Sequence, residues 1–271
     1  MRRLERTVPE IAADSAFGIA CGASGLPVEN LAELFLPEHF SAIELPAGLL
    51  ETASAPELMA KVLDCFDDVQ VGSIASPPEE EPPAPLLREF AERTGELLTG
   101  LSEAGIHTAS LEFSGKTSAD ALLRALRLLA PALNRTGMTL LLPFALPCAD
   151  PETPARFIQL LRRSMIPQLK LRLDLHLAAL PPDASPRDLA GTLLQEVRSV
   201  FLRWNADSGE FPGKEQIAPW LAALERNGFR GSWLAAPQSA DPLRIRTEAF
   251  RFTELLNELK QPSAQQKGFS L

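Results

Sequence analysis

Residues 169–176 read LKLRLDLH, a short run in which leucine alternates with a polar or charged residue. Successive side chains of a β-strand point to opposite faces, so the leucines share one face while Arg172, Asp174 and His176 share the other. The leucine face is expected to contact surrounding helices. Inward charge near the carboxyl end of a strand is unusual inside a β/α barrel, and it marks the end where barrel active sites form.

This run is one of eight short apolar segments that alternate with longer amphipathic ones. The predicted strands are 16–22, 40–46, 69–75, 106–113, 138–144, 169–176, 198–204 and 229–235. Their starts are separated by about the length of one βα unit, roughly 30 residues. Each strand is followed by a helical pattern, as in residues 86–101, where apolar side chains recur on one face.

The connections differ in length at the two ends of this repeat. Helix-to-strand turns are short and carry Gly105, Gly137 or Gly228 where glycine commonly ends a helix. Strand-to-helix connections are longer, as in residues 76–85 and 176–186. This asymmetry predicts the α/β class and a single-domain (β/α)8 TIM barrel, whose usual size is about 250 residues.

The barrel is predicted to span residues 16–260, preceded by an amino-terminal arm (1–15) and followed by a flexible tail (261–271). A doubly wound sheet is the rival fold. It would carry a glycine-rich turn after an early strand, but the sequence CGASG at residues 21–25 lacks the GxGxxG spacing. The barrel is therefore the favoured architecture.

Composition, charge and cysteine spacing disfavour several classes of protein. The 271 residues carry a net charge of −9, and the 26 Lys+Arg residues are spread along the chain rather than gathered in the basic stripe of a nucleic-acid binder. No apolar run reaches the ~18–20 residues that span a bilayer. Cys21, Cys65 and Cys148 share no CxxC spacing, which disfavours disulfide frameworks and zinc ribbons. These features predict a cytoplasmic protein with neither nucleic acid nor membrane as partner.

Strand parity places further polar side chains at the mouth of the barrel. Glu44 and Glu112 each lie between outward-facing apolar neighbours, so both are expected to point inward. Arg203 and Asn205 can join them, although the face of their strand is ambiguous. Lys116, in a loop entering a helix, is a candidate to meet a phosphate or carboxylate of a substrate.

Some of the inward side chains also have a structural explanation. The two glutamates could be carboxylates that pair with Arg172 or Arg203 inside the barrel, and Arg172 itself is best explained as a structural charge partner. The strongest functional signal is Asp174 with His176, because two potential ligands at positions i and i+2 converge on one inward face.

Five stretches together resemble the xylose isomerase-like TIM barrels, the sugar and sugar-phosphate isomerases and epimerases. They are FGIACGASG (17–25), FSAIELP (40–46), HTASLEFSG (107–115), LKLRLDLHL (169–177) and FRGSW (229–233). The resemblance covers about residues 16–260. It implies a (β/α)8 barrel with a divalent metal ion at the mouth.

The resemblance also implies four metal ligands: glutamate, aspartate, histidine and glutamate at the ends of strands 5 to 8. Asp174 alone clearly matches. Strand 5 ends in LPF (142–144), strand 7 carries Arg203 without histidine, and strand 8 ends in LAA (234–236). Divalent ions need several converging donors. The sequence therefore predicts a degenerate metal site, and leaves the cofactor open between a weakly held divalent metal and none.

Two functions follow from these observations. The first is a sugar or sugar-phosphate isomerase or epimerase that moves a proton next to a carbonyl. The predicted catalytic residues are Glu44, Glu112, Asp174 and His176. The predicted substrate-binding residues are Arg203, Asn205 and Lys116. The alternative is a catalytically degenerate barrel that binds a metabolite or a protein partner without turnover.

Overall fold

Eight parallel strands close into a barrel in the computed structural model. The model describes residues 15–25, 40–51, 55–78, 82–112, 117–148, 150, 152–181, 186, 189, 191–209 and 211–260. The strands are β1 (Ala16–Ala20), β2 (Ala42–Pro46), β3 (Asp68–Gly72), β4 (Thr108–Ser110), β5 (Thr139–Leu146), β6 (Leu169–His176), β7 (Val197–Asn205) and β8 (Ser232–Gln238). Each pairs with the next in sequence and β8 pairs with β1, which confirms the predicted single-domain (β/α)8 fold.

Helices alternate with the strands as the periodicity predicted. They are α1 (Cys21–Ser24), α2 (Ala55–Cys65), α3 (Ala84–Glu103), α4 (Ala119–Thr136), α5 (Thr153–Ser164), α6 (Gly191–Gln195), α7 (Lys214–Arg226) and α8 (Pro242–Lys260). Glycine ends α4 as expected, because Gly137 adopts the left-handed conformation at φ 69° and its N–H bonds the Leu133 carbonyl.

Strand boundaries differ from the predicted ones by a few residues. The first predicted strand stops at Ala20, since the next residues turn at once into α1. The predicted fourth strand is reduced to three residues, although Leu111 and Glu112 still donate backbone hydrogen bonds to neighbouring segments. β6 begins and ends where the alternation of LKLRLDLH placed it.

Two apolar cores hold the barrel together. The larger one fills the space between the outward faces of the strands and the helices, and it includes the leucines of β6. The smaller one lies inside the barrel and consists of Ala20, Ala42, Phe201, Leu234 and Ala236. All five side chains of this inner cluster are fully buried. On β2 and β7 the next inward positions, two residues further along, are Glu44 and Arg203, which lie nearer the carboxyl ends of the strands.

No helix in the described part of the chain is long and apolar enough to cross a membrane.

Candidate functional site

A cavity of about 450 Å³ lies at the carboxyl ends of the strands, where β/α barrels carry their active sites. Its lining comes from β2, β5, β6 and β7 and from the segments that follow β1, β3 and β4. The lining residues are Gly22, Ala23, Glu44, Ser73, Glu112, Pro143, Ala145, Arg172, Asp174 and Arg203. Four residues chosen from the sequence, namely Glu44, Glu112, Asp174 and Arg203, are thus brought to one cavity.

Asp174 lies at the centre of the charged cluster and is only 4% exposed. Arg172 binds it side-on, donating from Nε to Oδ1 at 2.8 Å and from Nη2 to Oδ2 at 3.1 Å. Arg203 donates from Nη2 to Oδ2 at 2.8 Å and from Nε to the same oxygen at 3.2 Å. The carboxylate therefore has two guanidinium partners, which supplies the compensation that a buried charge requires.

The two arginines differ in burial and in the contacts they make besides Asp174. Arg172 is buried, donates from Nη1 to the Ser110 hydroxyl at 2.8 Å, and lies with its Cζ 4.5 Å from the centre of the Phe201 ring. Arg203 is more accessible, with 14% of its side chain exposed, and its Nη1 reaches only the Ala23 carbonyl at 3.4 Å. Arg172 is therefore a structural anchor, while Arg203 presents donors to the cavity.

Glu44 is buried beside this cluster and is held by backbone donors. Its Oε2 accepts hydrogen bonds from the N–H of Gly22 at 2.8 Å and of Ala23 at 3.4 Å. Burial raises the pKa of Glu44 to about 7, although Arg172, the two backbone donors and Arg203 act to lower it. Both the neutral and the ionised carboxyl are therefore populated near neutral pH.

Gly72, the last residue of β3, makes the space that Glu44 occupies. A Cβ atom built on Gly72 would lie 1.6 Å from Oε1 of Glu44, far inside any allowed contact. Sequence reasoning missed this glycine and the two backbone donors. The available signal was the placement of glycine at or just after the ends of β1 and β3, where a backbone approaches a side chain closely.

The remaining predicted residues are placed less centrally. Glu112 lines the cavity with an exposed side chain. His176 ends β6, is half-buried and is not among the residues lining the cavity; burial and Arg203 lower the pKa of its ring while Asp174 raises it. Asn205 lines two neighbouring cavities, and its Oδ1 accepts from the Asp207 N–H to cap a short turn. Lys116 lies outside the described residues.

The residues of the mouth do not fit a divalent metal ion. Both oxygens of Asp174 already accept N–H groups from arginine. Ala145, which pairs with Asp174 across β5 and β6, and Ala236, which pairs with Arg203 across β7 and β8, carry no donor atoms in their side chains. Across the described ranges, no group of three or more His, Cys, Asp or Glu side chains could hold a metal.

Solved structures with this fold match the chain over most of its length. D-Psicose 3-epimerase from Clostridium cellulolyticum H10, solved with D-tagatose, has a TM-score of 0.68 at 15% identity, covering 91% of this chain and 99% of that one. The 3-keto-D-glucoside 4-epimerase YcjR from E. coli has a TM-score of 0.66 at 14% identity, covering 89% and 99%. The chain thus has the fold of the xylose isomerase-like TIM barrels.

A third structure shows the same fold within a longer protein. It is a xylose isomerase-like TIM barrel/4-hydroxyphenylpyruvate dioxygenase fusion protein, with a TM-score of 0.69 at 18% identity. The match covers 96% of this chain but 45% of the fusion protein. At these identities the likeness establishes the fold. No protein-family model matches the chain, and no curated protein matches it either.

Proposed function

We propose that the protein is a sugar or sugar-phosphate isomerase or epimerase that transfers a proton next to a carbonyl at the barrel mouth. The observation that carries this proposal is one cavity lined by a buried carboxyl, Glu44, and by the guanidinium of Arg203. Such chemistry needs an acid or base and a group that stabilises the enediolate. The sugar epimerases with the same fold support the same general class of reaction.

Glu44 is the proposed acid or base. A group that gains and loses a proton near the working pH is the most effective proton-transfer catalyst, and the pKa of Glu44 lies at about 7. The two backbone N–H groups fix its carboxyl in one orientation. Glu112, at the exposed edge of the same cavity, is the proposed second carboxylate for the opposite direction of transfer.

Arg203 is the proposed oxyanion-stabilising group. Its guanidinium is permanently charged and faces the cavity, so it can bind the oxygen on which negative charge develops. Asp174 then acts as a positioning residue, because its oxygens are engaged in holding Arg172 and Arg203. This positioning role replaces the catalytic role predicted for Asp174 from the sequence. His176 and Asn205 have no step in this scheme, and Lys116 stays a predicted substrate-binding residue.

Proton transfer can be measured directly by incubating the protein with pooled ketoses, aldoses and their phosphates in D₂O. We expect deuterium to enter the substrate carbon next to the carbonyl. Glu44→Gln should slow exchange at least about 100-fold, the lower range for loss of a general acid or base. The matched control is Glu57→Gln on the exposed surface of α2, which should exchange normally. Normal exchange in Glu44→Gln would remove Glu44 from the mechanism.

A second candidate is a barrel that binds a metabolite or a protein partner without turnover. Neutralisation of Asp174 by two arginines and the alanines at 145 and 236 favour it, because they leave few groups for chemistry. A sugar that raises the melting temperature of the protein, yet gains no deuterium and forms no isomer, would favour this candidate over the enzyme.

A further inference from the structure

Arg203 is hydrogen-bonded to Asp174 in the cavity that both residues line. A carboxylate offers about four lone-pair positions, two on each oxygen. Arg172 donates one N–H to each oxygen and so binds the carboxylate along its edge. Arg203 directs both Nε and Nη2 to Oδ2 alone. Oδ2 therefore accepts three N–H groups, which leaves this oxygen no free lone-pair position for a metal ion.

The positive charge of Arg203 also repels a metal ion. The guanidinium is never deprotonated in a protein, so a cation brought to Oδ2 would meet a fixed positive charge at contact distance. Burial strengthens this repulsion because little water separates the two charges. Asp174 is 4% exposed, and Arg172 adds a second positive charge on its other side.

The neighbouring strands show what would have to change for a metal to bind. Ala145 faces the same cavity and pairs directly with Asp174 across β5 and β6. A carboxylate at position 145 and an imidazole at position 203 would place three donors around one point, the minimum protein set of open metal sites. The first change adds a donor, and the second also removes the opposing charge.

We propose that Arg203 is a built-in cation that takes the place of a divalent metal ion on Asp174, so that the metal and Arg203 exclude each other. This inference concerns what Asp174 binds and does not depend on turnover. It holds whether the protein is an isomerase or a binding barrel, and its test uses Mn²⁺ alone without any sugar.

The experiment compares three proteins by calorimetric titration with Mn²⁺ and by the electron paramagnetic resonance signal of free Mn²⁺. They are the wild type, Ala145→Glu, and Ala145→Glu combined with Arg203→His. We expect the double variant to bind one Mn²⁺ at least about 10-fold more tightly than the other two proteins, the scale on which surrounding groups alter metal affinity. Ala145→Glu is the matched control, because it gains the carboxylate while keeping Arg203.

Two results would overturn the proposal. One is a wild-type protein that retains stoichiometric Mn²⁺ through dialysis. The other is equal Mn²⁺ affinity in the control and in a double variant whose circular dichroism and melting match the control. If the double variant does not fold, Ala145→Glu combined with Arg203→Gln serves instead, because it removes the charge of Arg203 and keeps a polar side chain there. That variant should bind Mn²⁺ more tightly than the Ala145→Glu control, and equal affinity would again contradict the proposal.

Discussion

At the scale of single residues, the mouth of the barrel is governed by how buried charges are compensated. Asp174 pairs with both Arg172 and Arg203. Glu44 is compensated differently, by two backbone donors and by a raised pKa that lets it accept a proton. One carboxyl therefore stays bound to cations, while the other is free to titrate.

Asp174→Ala should destabilise the protein by about 3–5 kcal/mol, because the buried Arg172 and the largely buried Arg203 lose their carboxylate. Urea denaturation with the free energy of unfolding as readout measures this loss. The matched control is Glu89→Ala, which breaks the exposed pair with Arg93 and should cost at most about 1 kcal/mol. Equal losses in the two variants would mean that the cluster at the mouth is no more important to folding than a surface pair.

Glu44 should make the stability of the protein depend on pH in a defined window. Its pKa lies at about 7 in the native state against an ordinary value of 4.5, so between these values the native state holds a proton that the unfolded chain releases. Stability relative to Glu44→Gln should therefore be highest below pH 4.5, fall as the pH rises towards 7, and level off above it. The total fall should be roughly 3 kcal/mol.

Urea denaturation of the wild type and Glu44→Gln at half-unit steps from pH 4 to pH 9 measures this difference. Subtracting the two curves removes the contribution of every other titrating group that the substitution leaves unchanged. A difference that stays constant across the range would show that Glu44 titrates alike in the native and unfolded states.

At the scale of elements, the ends of the strands decide which groups reach the cavity. β1 stops at Ala20 and the chain turns immediately, which aims the N–H groups of Gly22 and Ala23 at Glu44. β3 ends in Gly72, whose missing side chain leaves room for the same carboxyl. The turn after β1 and the end of β3 thus position one side chain of β2.

Gly72→Ala should displace Glu44, because the new methyl group would lie on its Oε1. We expect a loss of about 1–3 kcal/mol in the free energy of unfolding, the usual cost of overpacking. Exchange of deuterium into a substrate should fall along with it. Gly100→Ala in α3 is the control, since its added Cβ meets nothing within 4 Å and should stabilise the helix by up to about 1 kcal/mol. An unchanged free energy of unfolding in Gly72→Ala would show that Glu44 moves aside for the added methyl group at no cost.

At the scale of the whole molecule, closure of the barrel depends on its first and last strands and on the last helix. β1 pairs with β8 from Ala16 opposite Ser232 onward. α8 then covers this junction with side chains that are fully buried, including Ile245, Phe252 and Leu256. Among the described residues, α8 therefore covers the seam at which the ring closes.

We propose that residues 261–271 contribute nothing to the stability of the barrel. A chain ending at Lys260 should melt within a few degrees of the full chain, which corresponds to less than about 1 kcal/mol for a protein of this size. The control is a chain ending at Asp241, which lacks α8 and should fail to fold because the seam between β1 and β8 loses its cover. A large drop in melting temperature on removing 261–271 would contradict the proposal.

Sequence patterns alone were sufficient to predict the architecture and the faces of the strands. The βα repeat, the short glycine turns and the alternation of LKLRLDLH are local patterns, and local periodicity reports which side of an element a residue occupies. That was enough to predict the barrel and the inward positions of Glu44 and Asp174.

Which inward residues meet depends on the folded barrel. Arg172 reaches Ser110 across 62 residues of sequence and Glu44 reaches Gly22 across 22, and no local pattern encodes such a distance. The order of strands around the ring, their register and the gap at Gly72 set these contacts. Parity gave His176 and Asp174 the same face, but position along the strand leaves only Asp174 in the cavity. A face is a local property of the chain, whereas a site requires closure of the whole barrel.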